Sequence, residues 1–418
     1  MRKFFLVLFF IACVPGLFAQ KENLTVKLAV IGPGDELYYW WGHIALVIED
    51  SNKGESYFYD YGIFDFNQEN FFYNFAVGRL LYYCGVSSAE IIYNIYRKTN
   101  RDIIIYTLDL PPETKIKVRD FAGNNVLPEN RDYFYHHFKD NCSTRIRDII
   151  DMAVNGQFME KYKNEESRFT LREHVRRHTW FSPLADWALS FLMGQVIDTK
   201  ITVWEDMFLP SEAGIRAEEF YYTDENGETR KLVSSKEILY TSKNRPAVLD
   251  KPRVQWPYEL IFGLALSLIF AFFFYLQAKN IRAGKILAGI SMSAVGLFFG
   301  IMGTLLYFMA LFTDHDYIYQ NFNMLFCTPL FLVTVPAGIC YAITDKQEKL
   351  KKYSSLLRLI WLLCAGGIII SMLIKILPWF YQDNLTDQLL MLPLALVFIC
   401  QSSGLKGILA KRSIYGRK

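Results

Sequence analysis

Most of what would announce a cofactor-dependent enzyme is missing from this 418-residue chain. It has no Walker loop, no dinucleotide fingerprint and no metal motif of convincing spacing, so neither a cofactor nor a metal is inferred. Its formal net charge of +3 is too small a surplus to argue for a nucleic-acid partner. Cysteine is scarce in the soluble part: of seven in the chain, Cys327, Cys340, Cys364 and Cys400 fall in apolar runs and Cys13 in the leader, leaving Cys84 and Cys142. Two cysteines exclude a disulfide framework, although a single bridge between them in an oxidising compartment stays open. Burial is the default for Cys84, which has no visible partner in the sequence.

What is abundant is apolar. Hydrophobic residues make up 52% of the chain, with 34 Phe and 26 Tyr, and the excess lies mostly after Tyr258. That asymmetry splits the chain, and its length also suggests two domains. Residues 1–19 have a basic start (Arg2, Lys3), an apolar run at 4–12 and Pro15-Gly16 before Ala19, the pattern of a secretory signal. The run is short for a bilayer span, so cleavage after Ala19 is expected. The expected organisation is a signal peptide at 1–19, a globular domain at 20–215, a strand hairpin and linker at 216–257, and a membrane domain at 258–418.

Five spans are expected, near 258–276, 286–312, 322–343, 356–377 and 385–404. The connections carrying Lys279, Arg282 and Lys285, then Lys346, Lys349, Lys351 and Lys352, then Lys406, Lys411, Arg412, Arg417 and Lys418, should be cytoplasmic. The opposite loops, marked by Asp314, Asp316, Asp383 and Asp387, contain no Lys or Arg. An odd number of spans with a cytoplasmic C-terminus puts the globular domain outside the cytoplasmic membrane, as the signal segment does independently. Lys375, near the outer end of the fourth span, is expected to snorkel.

Within the globular part, residues 24–32 alternate like a strand, and 40–48 are β-rich, with His43 near the start of that strand behind Gly42. Asn52-Lys53-Gly54 is a hairpin turn returning 57–62 antiparallel, a pairing that would bring Asp60 close to His43. Ile146, Ile149, Ile150 and Ala153 make one apolar stripe of a helix that Asp140 or Asn141 can cap. Cys142 would open this helix, where the positive end of the dipole favours a thiolate.

Cys142 as nucleophile, His43 as proton shuttle and Asp60 as the group fixing the imidazole tautomer form the candidate catalytic set for attack on an acyl carbon. Tyr135, Asn141 and Arg145 are candidate substrate-binding residues, and His136-His137 could line the pocket. Glu173, His174 and His178 have a zinc-like spacing, but Arg172, Arg176 and Arg177 surround them, so a solvated or headgroup-facing basic helix is expected instead. Arg147 and Asp148 suit a structural ion pair.

The order histidine first, cysteine later, with Asn141-Cys142-Ser143 opening a helix, resembles the circularly permuted papain-like group that includes NlpC/P60 relatives. More closely, Gly42-His43, the run from Tyr59-Asp60-Tyr61-Gly62 through Phe66, Gly78-Arg79-Leu80, Asn130-Arg131-Asp132-Tyr133, Asp140-Asn141-Cys142-Ser143-Thr144-Arg145 and Phe208-Leu209-Pro210 resemble the Lnb family. The resemblance implies an α+β permuted papain-like (NlpC/P60-like) extracytoplasmic domain followed by an all-α five-helix transmembrane domain, placed in the inner membrane with the first domain periplasmic. It also implies lipoprotein N-acyltransfer, in which an acyl chain passes from a membrane phospholipid through a Cys142 thioester to the amine of a diacylglyceryl lipoprotein. Two positions depart from the family pattern: Asp60 stands where Asn is usual, and Val47 where a basic residue often follows the Gly-His strand. The competing classes are a membrane-tethered cell-wall peptidase or amidase and a non-catalytic membrane scaffold.

Overall fold

The computed structural model describes residues 23–402; the signal segment and the basic C-terminal tail expected from the sequence lie outside them. Strands β1 (Leu24–Ile31), β2 (His43–Asp50), β3 (Glu55–Ile63), β4 (Leu81–Ser88), β5 (Ile103–Leu108), β6 (Asp132–Phe134) and β9 (Val233–Tyr240) form one sheet in the order β6-β4-β3-β2-β1-β5-β9. Every pairing is antiparallel. β7 (Tyr221–Thr223) and β8 (Thr229–Lys231) make a separate hairpin, turned at Gly227 with φ +81°. The segment between that hairpin and the membrane thus contributes β9, which pairs with β5 at the sheet edge, before the connection resumes.

The central strands are apolar at nearly every position because both sheet faces are covered. On one face Leu28, Ile44, Leu46 and Ile48 meet Ile146, Ile149 and Ile150 of α4 (Cys142–Ala153), Val118 and Ala122 of α3 (Pro112–Asn125), and Ala213 and Ala217 of α9 (Pro210–Glu219). Burying each isoleucine of α4 contributes roughly 1.5–3 kcal/mol relative to exposure, enough to fix the height of the helix over the strands. The other face, with Ala45, Val47, Phe58 and Ile105, is covered by α2 (Ala89–Lys98) through Ala89, Ile92, Tyr93 and Tyr96. Val47 is fully buried here, so this position does not reach a lipid headgroup.

Among the described residues, three helices are long and apolar enough to cross a membrane: α10 (Trp256–Ala278), α11 (Arg282–Phe312) and α13 (Gln347–Ile374). The third expected segment is broken. It runs as short 3-10 turns at Phe322–Leu325 and Pro329–Val333 before α12 (Thr334–Ile343). The last, α14 (Leu385–Ser402), is also short and contains Pro393. The break has a packing cause: along α11, Cβ atoms at Gly296, Gly300 and Gly303 would collide with Thr334, Leu332 and Thr328, so only glycine lets this irregular backbone lie against the helix. Its polar groups are met internally. Asn323 Nδ2 donates to Asp387 Oδ2 (2.9 Å), and Asn384 Nδ2 donates to Asn323 Oδ1 (2.7 Å). Lys375 Nζ turns to Gln388 Oε1 at 3.4 Å.

The two halves meet through α6 (Leu171–Thr179) and α7 (Pro183–Leu192). The basic helix expected to face solvent or headgroups is buried instead: Arg172, His174, Arg176 and His178 are all inside. Arg172 can be buried because its guanidinium is saturated. It donates to both carboxylate oxygens of Asp198 (2.7 and 2.9 Å) and to the carbonyls of Ser190, Met193 and Gly194. His174 Nε2 lies in close contact with the Asp206 carboxylate, and His178 Nδ1 donates to the His174 carbonyl at 2.7 Å. Held in this way, α7 lays Trp187 and Phe191 into the core of the membrane bundle, where Trp187 stacks on Phe298. Asn321 Nδ2 reaches back to the Phe191 and Leu192 carbonyls, and Arg176 pairs with Asp383 at 3.0 Å.

Candidate active site

Gly42 sets the start of β2. Its φ is +79°, and a Cβ there would lie 2.7 Å from the Ile31 carbonyl oxygen, so the residue turning the chain into the strand must be glycine. His43 follows at the strand's first position, opposite Ile31. On the neighbouring strand the β3–β4 register shifts between Asp60 and Ile63. This bulge turns the Asp60 carboxylate inward, where Oδ1 accepts the Gly62 amide at 2.7 Å and lies 3.0 Å from His43 Nε2. The His43–Asp60 approach is a close ionic contact rather than a linear hydrogen bond, since His43 Nε2 has no well-aligned partner. With Nε2 facing Asp60, Nδ1 is the nitrogen left for Cys142.

Cys142 is placed by its helix cap. Asn141 Oδ1 accepts the Ser143 and Thr144 amides (2.8 and 2.9 Å), while Thr144 Oγ1 accepts the Asn141 amide at 2.8 Å, a reciprocal capping box. Asn141 Nδ2 donates to the His137 and Phe208 carbonyls, and Ser143 Oγ to that of Met207, so the 207–208 segment clamps the helix start. Because Asn141 takes up the second and third amides, the Cys142 amide remains among the helix-start donors without an intrahelical partner.

Burial works to lower the basicity of His43, but the Asp60 carboxylate and the Cys142 sulfur more than offset it and raise the imidazole pKa to about 10. Asp60, although buried, is held below the usual carboxylate range by His43 and the Gly62 amide. The pair therefore presents a cationic ring to the sulfur, the environment a thiolate nucleophile needs.

Cys142 and His43 line a cavity of about 310 Å³ walled largely by aromatic rings, with Asp60 set against His43. Tyr135 lines it, stacked on Tyr82 at 4.2 Å. His137 also lines it, its pKa lowered to about 4 by burial and then by His136, so it is neutral near pH 7. Trp41 packs edge-on to His137, and both Trp41 Nε1 and His137 Nε2 are buried without a hydrogen-bond partner. The floor comes from elsewhere in the chain: Leu189 and Met193 at the end of α7, and Asp314, His315 and Tyr317 from the loop after α11. His136 ties the two halves together, its Nε2 2.8 Å from Asp316 Oδ1, and Lys139 pairs with the same carboxylate.

The structure brings Cys142, His43, Asp60, Tyr135 and Asn141 to one place, but not Arg145. Arg145 grips Asp140 with two hydrogen bonds (2.8 and 2.9 Å), lies 3.7 Å over the Tyr133 ring, and lines a separate hollow on the far side of the helix start. Three residues beyond Cys142, a spacing that can share a helix face, it nonetheless turns its side chain back to Asp140 and Tyr133 and stays out of the cavity lining. Asn141 spends both side-chain polar atoms on backbone groups, which suits a positioning residue. Arg147 and Asp148 pair at 2.8 Å, and Cys84 is buried with a free thiol, as is the less buried Cys142. Among the described residues, no group of three His, Cys, Asp or Glu side chains is arranged to hold a metal ion. Sequence reasoning missed Trp41, for which adjacency to Gly42-His43 was an available signal. It also missed the loop residues 314–317, for which sequence offers none.

A thiol, an imidazole and a carboxylate around an apolar cavity, floored by a helical membrane bundle, define the class: a membrane protein whose extramembrane site sits on its own bundle. The model of the Lnb N-terminal periplasmic domain matches residues 18–177, and that of the Lnb transmembrane domain matches residues 254–405. The chain belongs to the Lnb family, a membership that points to lipoprotein processing, and its sheet domain is the periplasmic one. No curated protein and no solved structure matches the chain.

Proposed function

We propose that the protein is a lipoprotein N-acyltransferase working through a Cys142 acyl thioester. The observation that carries this reading is the position of Cys142 and His43, the latter backed by Asp60, in a cavity shared by the periplasmic sheet and the outer loop of the membrane bundle. A hydrolase of soluble substrates has no use for that floor. In the first half-reaction the Cys142 sulfur attacks an ester carbonyl of a membrane phospholipid; the ester C–O bond breaks, and the His43 imidazolium gives its proton to the departing lysolipid oxygen. In the second, the α-amine of the diacylglyceryl-cysteine attacks the thioester carbonyl. The C–S bond breaks, the amine proton passes to His43, and the thiolate is restored. The Cys142 amide and the unpartnered Trp41 Nε1–H are the donors available to the carbonyl oxygen as it gains charge.

The sheet with histidine and acid on adjacent strands and the cysteine on a later helix supports a permuted papain-like, NlpC/P60-like reading of the fold. The loop charges support five membrane segments in the inner membrane with a cytoplasmic C-terminus. The test is intact-protein mass spectrometry after incubation with phospholipid vesicles. An added acyl mass that is released by hydroxylamine and lost in Cys142→Ala is expected. Normal N-acylation of lipoproteins by Cys142→Ala, in cells lacking any other such enzyme, overturns the proposal.

A further inference from the structure

The short helix α1 (Phe71–Val77) is oddly built for a water-facing element. Only Phe71 and Val77 are buried; Phe72, Tyr73 and Phe75 are 77%, 65% and 55% exposed. Its lower end is pinned to the membrane bundle. The Asp314 amide donates to the Val77 carbonyl at 2.8 Å, Arg79 Nε donates to Asp314 Oδ2 at 2.6 Å, and a Cβ on Gly78 would stand 3.0 Å from the Asp314 backbone. Asp314 lies just beyond the end of α11, and that helix shows Phe308, Leu311 and Phe312 to its surroundings in its last turn, the latter two 63% and 70% exposed. The aromatic face of α1 is therefore continuous with the apolar girdle of a membrane helix, at the level where that helix leaves the bilayer. Aromatic rings with a polar edge suit that boundary.

Phe75 joins this face to the chemistry, because it is exposed outside and also lines the cavity of Cys142. Leu37 and Tyr38 are likewise exposed and line the cavity. We propose that Phe72 and Tyr73 insert into the periplasmic leaflet as an interfacial wedge, and that acyl chains enter the cavity sideways from the bilayer between Phe75 and the Leu37–Tyr38 lip. The occupant of this surface is the lipid leaflet itself. A helix of seven residues is roughly 10 Å long, comparable to the depth at which interfacial helices lie. The clause on acyl entry rests on the acyltransferase reading; the wedge does not.

The experiment has two arms, both on the full-length protein. A benzophenone amino acid is placed at Phe72 or, as control, at Tyr221, which is 59% exposed but lies beside the Asp109 end of β5, the opposite end of the strands from His43. After irradiation in native membranes, lipid adducts at position 72 at least 10-fold above those at 221 are expected; equal adducts overturn the wedge. In the second arm, F72S/Y73S is assayed for acyl transfer from phospholipid vesicles and for the burst released by p-nitrophenyl acetate at Cys142. About a 10-fold loss of vesicle-dependent transfer with an unchanged burst is expected. Wild-type transfer by this variant overturns lateral entry. A wild-type protein without a burst would sink the thiol reading while the crosslinking arm still decides the wedge.

Discussion

Gly62 is the floor beneath His43: a Cβ at position 62 would lie 2.7 Å from His43 Cε1 and 3.3 Å from Asp60 Oδ1. The imidazole keeps its place between carboxylate and sulfur because this position carries no side chain. Gly62→Ala should push the ring off the Cys142–Asp60 line. A displacement of that kind lowers rate by about 10²-fold, while overpacking costs about 1–3 kcal/mol of stability, which a folded domain tolerates. The rate of Cys142 alkylation by iodoacetamide, set beside the thermal unfolding midpoint in detergent, separates the two. A Gly62→Ala protein alkylated at the wild-type rate contradicts this placement of the ring.

The pKa of His43 is raised from 6.5 to about 10. Because the folded value lies above the unfolded one, the contribution of the imidazolium to stability is fully present below about pH 6.5 and is lost as pH rises through about 10. Cys142 alkylation should show no inflection from His43 between pH 7 and 9 and a change near pH 10. Asp60→Ala removes the main charge that holds the proton, so the inflection should move down. Asp60→Asn keeps an acceptor for Nε2 and should retain more acyl transfer than Asp60→Ala.

Arg172 saturates its guanidinium with Asp198 and three backbone carbonyls at the base of α7. Arg172→Met leaves Asp198 buried and uncompensated, a change costing about 3–5 kcal/mol. Thermal unfolding in detergent should register that loss, and the floor residues Leu189 and Met193 should loosen with it. A midpoint equal to wild type would mean that the helix is not held by this residue.

Asn141 and Arg145 should separate cleanly in kinetics. Asn141→Ala removes the helix cap, at about 0.5–2 kcal/mol, and frees the backbone under Cys142, so kcat should fall. Arg145→Ala breaks a partly exposed pair with Asp140 worth about 0–1 kcal/mol and should leave KM unchanged. A raised KM in Arg145→Ala would return this residue to the substrate site.

Much of the site was legible in the chain because it is built from local rules. The cap before Cys142, the apolar stripe behind it and the glycine before His43 are properties of a few consecutive residues. The approach of Asp60 to His43 was also legible, since the Asn52-Lys53-Gly54 turn fixes which residues of β2 and β3 face each other. Arg145 lies outside the cavity because Asp140 and the Tyr133 ring draw its side chain away, a choice of partner that its spacing from Cys142 does not reveal. The α6 helix was misread because charge predicts solvent only when no partner is at hand, and Asp198, Asp206 and Asp383 all lie elsewhere in the chain.

By itself, then, the sequence determined the division into a periplasmic sheet domain and an apolar helical half, together with the cysteine, histidine and acid that meet. Periodicity, capping and turn chemistry act over a handful of residues, so they can be read in one dimension. Only the tertiary structure decided that the third membrane segment is broken, that α7 belongs to the core of the bundle, and that the cavity is floored by residues 314–317. Each of these depends on close packing between segments far apart in the chain. The glycine seam of α11 and the buried Arg172–Asp198 pair set those distances: the Gly-xxx-Gly spacing marks a close approach without saying which segment approaches, and the ion pair has no local signature.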